Sequence, residues 1–100
     1  MRYEIARVLR MKQQAIIFLG GKCIDCGWSG HHAGFEFDHV KGRGTRHCIT
    51  YSFAHNSWKR IKLELDDGID LVCGTCHNIR TYERRLAPTE LAIRSALELV

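Results

Sequence analysis

Apolar side chains recur along this chain in two rhythms, one helical and one alternating. Between Met1 and Leu19, the residues Ile5, Val8, Leu9, Ala15, Ile16 and Leu19 fall near one face at helical spacing, while Arg2, Arg7, Arg10 and Lys12 fall largely elsewhere. Gly20-Gly21 stop that pattern, so a helix over 1–20 is predicted, covering a core in preference to binding a partner. The rhythm then changes. Phe35, Phe37 and Val40 around Glu36 and Asp38 predict a short strand from Gly34 to Val40. Ile49-Thr50-Tyr51 predicts the second strand of a hairpin, across the basic loop Lys41-Gly42-Arg43-Gly44-Thr45-Arg46.

Helical spacing returns in the second half. Ser57 can cap a helix that runs to about Asp67, buries Trp58, Ile61 and Leu65, and ends at Gly68. Another helix is expected from Cys76 or His77 to Leu86, because Pro88 disfavours helical backbone just before it. Pro88 suits the first turn of a last helix over 87–100, in which Ile93, Ala96, Leu97 and Val100 share a face. With no repeat, linker or low-complexity tract, 1–100 reads as one α+β domain with flanking N- and C-terminal helices.

Composition makes the cysteines important. One hundred residues, 45% hydrophobic and 26% charged, describe a globular chain near the lower size limit for an unaided core, so a staple is expected. Of five cysteines, four form two C-x-x-C pairs, Cys23/Cys26 and Cys73/Cys76. The apolar run Ala15–Leu19 is too short for an export signal and no run spans a bilayer, which favours reduced thiols in the cytoplasm. Two thiolate pairs complete a closed tetrahedral shell, the arrangement of a structural zinc site. Four buried free cysteines are the alternative. Residues 27–72 separate the pairs, far more than the ~15–20 of a compact zinc ribbon, so a substantial insert interrupts the clasp. Cys48 has no partner at metal spacing and reads as a small core residue.

Three segments then resemble a known family. Lys22-Cys-Ile-Asp-Cys-Gly27, Phe35-Glu-Phe-Asp-His-Val40 and Leu71-Val-Cys-Gly-Thr-Cys-His-Asn-Ile-Arg-Thr81 together are similar to the zinc-containing HNH endonucleases, over about Gly21 to Arg84. The resemblance implies a ββα-metal core over 21–86 with a zinc clasp of four cysteines. It also implies hydrolysis of DNA phosphodiester bonds, leaving 5′-phosphate and 3′-hydroxyl ends. In that picture Asp38 and His77 hold one catalytic Mg²⁺ or Mn²⁺, and His39 is the general base. The chemistry suits these residue types: a neutral imidazole can take a proton from water, and a cation can offset charge on the departing oxygen. Consecutive strand residues point to opposite faces, so Asp38 and His39 share a site only if the chain bends there.

The middle Asn of the family pattern is not evident; Asp70, Asn56, His55 and His47 are the residues nearby, and which of them, if any, orients His39 is open. His31 and His32 read as loop residues. Small HNH proteins of this kind are common in phage and prophage, so the resemblance implies a place in phage DNA processing.

A formal charge of +4, from 15 Lys+Arg against 11 Asp+Glu, permits a polyanionic partner. His77, Arg80 and Arg84 stand at i, i+3, i+7 on one helix face, and Lys41, Arg43 and Arg46 follow His39, so both groups are expected to contact the DNA backbone. Two rivals remain: a zinc-stabilised nucleic-acid-binding module without catalysis, and a zinc ribbon acting as a protein adaptor. Membrane association is not expected, and a homodimer or a packaging partner is open.

Overall fold

A computed structural model describes residues 4–42 and 48–86, with the single positions 93, 95 and 97 helical. The expected helix over 87–100 otherwise lies outside the described residues, as do Arg43, Arg46 and His47. The described elements are α1 (Ile5–Phe18), a 3-10 turn (His32–Gly34), β1 (Phe35–His39), α2 (Ile49–His55), α3 (Trp58–Asp66), β2 (Ile69–Cys73) and α4 (Gly74–Arg85). The architecture is mixed α+β. Among the described residues no helix is long and apolar enough to cross a membrane.

The strand β1 pairs with β2, not with residues 49–51. The pairing is antiparallel, with Phe35 opposite Cys73, Asp38 opposite Asp70 and His39 opposite Ile69. Residues 49–51 begin α2 instead, which corrects the expected hairpin. Ile49, Ser52 and Phe53 are its buried positions, at i, i+3 and i+4. That spacing outweighs the strand preference of Ile-Thr-Tyr, because burial of a helical stripe decides the conformation of a short segment.

The core lies between α1, α2, α3 and the sheet. Ala15, Ile49, Phe53, Ile61, Leu65 and Ile69 form its main cluster, while Ile16, Phe35 and Leu71 form a second one closer to the strands. Val8, Met11, Ala15 and Leu19 are the seam of α1. Ile5 and Leu9, expected on that face, are exposed. Ser57 caps α3 as expected, its hydroxyl accepting from the Arg60 amide at 3.3 Å. Arg7 reaches from α1 to the carbonyls of Ala54 and Asn56 at the end of α2, where a cation is favoured.

Two packing features fix the ends and faces of the sheet. The Trp28 ring lies over β1, 5.0 Å from the Phe35 ring, and a Cβ at Gly34 would stand 2.4 Å from it, so only glycine fits there. On the opposite side of the sheet from Phe35 and Phe37, α4 packs against both strands.

Candidate functional site

The two C-x-x-C pairs meet. The backbone of the first knuckle is tied to the sheet: the Ile24 amide donates to the Leu71 carbonyl at 2.9 Å, and Gly27, at φ +80°, turns the chain so that its amide donates to Cys23. The second pair straddles the start of α4, where Cys73 is the N-cap and its sulfur accepts from the Cys76 amide at 3.4 Å. All four sulfurs lie within 4.8 Å of one another. Sulfurs bound to zinc at about 2.3 Å in a tetrahedron stand about 3.8 Å apart, and those of Cys26 and Cys73 are 3.8 Å apart.

The donor set therefore fits a tetrahedral soft metal ion such as zinc. Burial raises the Cys23 thiol, but hydrogen bonds from the backbone of Cys73, Cys26 and Asp25 outweigh it and hold it at about 6. Cys76 is pushed up, first by its hydrogen bond to Cys73. One thiolate in the cluster suppresses the next, a penalty that a divalent cation removes.

Beyond the clasp, strand periodicity places Glu36 and Asp38 on the side of the sheet that faces α4. Asp38 is only 3% exposed, and three hydrogen bonds from two arginines reach its carboxylate. Arg84 binds both oxygens, at 2.7 and 2.5 Å, and Arg80 donates to Oδ2 at 2.7 Å. The Arg84 guanidinium holds the Asp38 carboxyl at about 2 against the opposing effect of burial, and Arg80 adds to it. Arg80 also binds Asp70 at 3.0 Å and Asp25 through Nε and Nη2 at 2.7 and 2.6 Å.

His77, directly after the last cysteine, lies one turn before Arg80. Its Nδ1 is 2.7 Å from Glu36 Oε1, and its Nε2 is 3.8 Å from Asp38 Oδ1. The first contact is a hydrogen bond in which the ring nitrogen donates to the carboxylate. The second is too long for one.

Asp38, His39 and His77 come together at one open hollow of about 360 Å³, lined also by Arg84, Phe37, Gly42, Cys48 and Ile49. The strand remains regular through His39, so the two side chains leave it on opposite faces as alternation requires. They meet because the strand ends there: the Gly42 amide donates to the His39 carbonyl at 2.9 Å in a turn, and the hollow wraps around the strand end.

Other expectations change. Cys48 is exposed at the N-cap of α2 and borders the hollow, so it is not a core residue. Helix α4 starts at Gly74, ahead of the expected start at Cys76 or His77, because Cys73 is its cap. Arg80 and Arg84 share a face with His77, yet their guanidiniums are turned onto carboxylates. Arg80, 20% exposed, is engaged in the interior, while Arg84 remains 47% exposed. Lys41 is exposed, 3.8 Å from Asp67.

Asn56 donates to Ser52 and Glu64 between α2 and α3, and His55 stacks on Tyr51. Sequence reasoning gave Glu36 and Asp25 no site role. The period of two that joins Glu36 to Asp38 was a signal for the first; nothing local marked the second. Comparison with protein-family models, with curated proteins and with solved structures finds no match to this chain.

Proposed function

We propose that this chain is an HNH-type endonuclease that hydrolyses DNA phosphodiester bonds with one divalent cation, while a zinc ion in the four-cysteine clasp holds the framework. One observation carries the reading: the line Glu36–His77–Asp38. A metal-binding histidine ordinarily donates its other ring N–H to a carboxylate, which fixes the tautomer and aims the free lone pair. Glu36 makes that contact with His77, so Nε2 carries the lone pair and faces Asp38 Oδ1 across 3.8 Å. Two donors on one ion at about 2.1 Å stand no more than about 4.2 Å apart. The gap would suit a Mg²⁺ or Mn²⁺ held by both residues.

Charge agrees with that use. Asp25, Glu36, Asp38 and Asp70 against Arg80 and Arg84 leave the network two charges negative, so a divalent ion neutralises it. His39, on the same hollow, takes the proton from the attacking water. A divalent ion held by Asp38 and His77 would supply the positive charge that offsets the departing 3′ oxygen. Arg84, half exposed, exchanges Asp38 for a phosphate oxygen of the substrate, and Lys41 sits beside the same strand end to contact the backbone. The unit of β1, β2 and α4 supports the resemblance to the ββα-metal nucleases, with α2 and α3 inserted between its strands.

A second reading has one observation in its favour. Asp38 already receives three charge-assisted hydrogen bonds, as a purely structural ion network would supply. In that case the chain is a zinc-stabilised nucleic-acid-binding module that cuts nothing. A supercoiled-plasmid assay separates the two: zinc-loaded protein is expected to nick the plasmid with added Mg²⁺ or Mn²⁺ and to stop when a chelator removes it. DNA binding without nicking under every divalent ion selects the binding module.

A further inference from the structure

Asp25 lies between the two cysteines of the first knuckle, yet it belongs to neither metal's donor set. Its carboxylate accepts from two adjacent nitrogens of Arg80, Nε at 2.7 Å and Nη2 at 2.6 Å. The remaining arm of the same guanidinium, Nη1, donates to Asp38 Oδ2 at 2.7 Å and to Asp70 Oδ2 at 3.0 Å. A guanidinium is a flat, rigid fork whose donors cannot move independently. A displacement of the knuckle that carries Asp25 therefore turns the whole plane and shifts Nη1 against Asp38.

His77 directly follows Cys76 of the clasp, but Asp38 is distant in sequence from both cysteine pairs. The knuckle at 23–26 precedes Asp38, whereas Arg80 arrives on α4, whose cap is the third cysteine of the clasp. Packing also leaves Asp38 little freedom, since it is 3% exposed, with Arg84 on both its oxygens and Arg80 on Oδ2. Oδ1 accepts from Arg84 and Oδ2 is shared by Arg84 and Arg80, so the direction of the remaining Oδ1 lone pair toward His77 depends in part on where Arg80 holds Oδ2.

We propose that Arg80 couples the cysteine clasp to the Asp38–His77 site, so that Asp25 sets the affinity of the second site for a divalent cation without touching that cation. The inference rests on reading Asp38 and His77 as ligands of one ion. Asp25 and Arg80 are positioning residues, acting through the orientation of Asp38. Coupling of this kind needs a continuous physical connection between the sites, and the four hydrogen bonds of Arg80 supply it.

The test uses the full zinc-loaded chain as wild type, Asp25→Asn and Arg80→Lys, with zinc content measured and Mn²⁺ affinity read from the electron paramagnetic resonance of free Mn²⁺. Asparagine keeps the shape of Asp25 but loses its charge; lysine keeps the charge of Arg80 but cannot bridge two carboxylates as a fork. Both variants are expected to retain one zinc per chain and to bind Mn²⁺ on the order of tenfold more weakly, the scale of losing an outer partner of a metal ligand. A merely structural ion pair would lower the melting point and leave Mn²⁺ affinity unmoved.

Asp25→Asn protein with full zinc and wild-type Mn²⁺ affinity overturns the coupling while leaving the nuclease reading intact. Asp25→Asn protein that loses zinc also overturns it, because Asp25 would then belong to the clasp. A wild-type chain that binds no Mn²⁺ removes the second site and the coupling together. Should Arg80→Lys fail to fold, the Asp25→Asn measurement decides alone, since that side chain is partly exposed and lies outside the core.

Discussion

Replacing His39 by alanine is expected to lower plasmid nicking at least about 100-fold, because a positioned general base contributes roughly 10²–10⁴-fold. The fold should survive. His39 closes β1 opposite Ile69 and borders the open hollow, but it belongs to neither hydrophobic cluster. Zinc content should stay at one per chain, since the clasp lies at the other end of the strand, where Phe35 pairs with Cys73. DNA affinity should change less than twofold, because a neutral imidazole contributes no phosphate neutralisation. Loss of cleavage with binding retained identifies His39 with the chemical step. Unchanged nicking by His39→Ala protein, with the same divalent ion, would remove the proposed base and the mechanism with it.

The second large effect concerns Cys73→Ser. Cys73 has two roles, a place in the four-sulfur cluster and the N-cap of α4. A serine hydroxyl can accept the same capping hydrogen bond, so the substitution spares the cap and removes a thiolate. Structural zinc supplies binding energy of about 10–16 kcal/mol in small metal-stabilised domains. A domain of this size holds only about 5–15 kcal/mol in all. Losing even about 3 kcal/mol lowers the melting point by roughly 12–24 °C. Helix α4 should loosen first, carrying His77, Arg80 and Arg84 away from Asp38, so nicking should disappear with the zinc. Cys73→Ser protein that melts with the wild type and retains its zinc would show that neither the ion nor the fold depends on the Cys73 thiolate, and would remove the stapling role.

Much of the framework behind these two effects was legible in the sequence. Periodicity and caps located α1, β1 and α3, because each has a repeating apolar face or a side-chain cap that acts within a few residues. The C-x-x-C pairs announced their own meeting, since two thiols three positions apart are already shaped for one ion. The pairing partner of β1 was hidden. Local preference at Ile49-Thr50-Tyr51 pointed to a strand, while the decisive burial of Ile49 and Phe53 against Ala15 and Ile61 depends on contacts distant in sequence.

The charges were hidden for the same reason. Arg80 and Arg84 have the spacing of a phosphate-binding face, and only the approach of β1 turns them onto Asp38. Glu36 was half visible: alternation put it beside Asp38, but its contact with His77 requires the close packing of α4. Asp25 carried no signal at all, because its partner Arg80 lies on the far side of the insert that separates the two cysteine pairs.

On the proposed reading, Asp38 and His77 share one cation next to His39. Crystals of the zinc-loaded chain grown with Mn²⁺, measured for anomalous scattering at the manganese edge, test it most directly. One manganese peak is expected within coordination distance of both Asp38 Oδ1 and His77 Nε2, with the Glu36 carboxylate still on His77 Nδ1. Manganese absent from that position, with Arg80 and Arg84 still closed on Asp38, would contradict it.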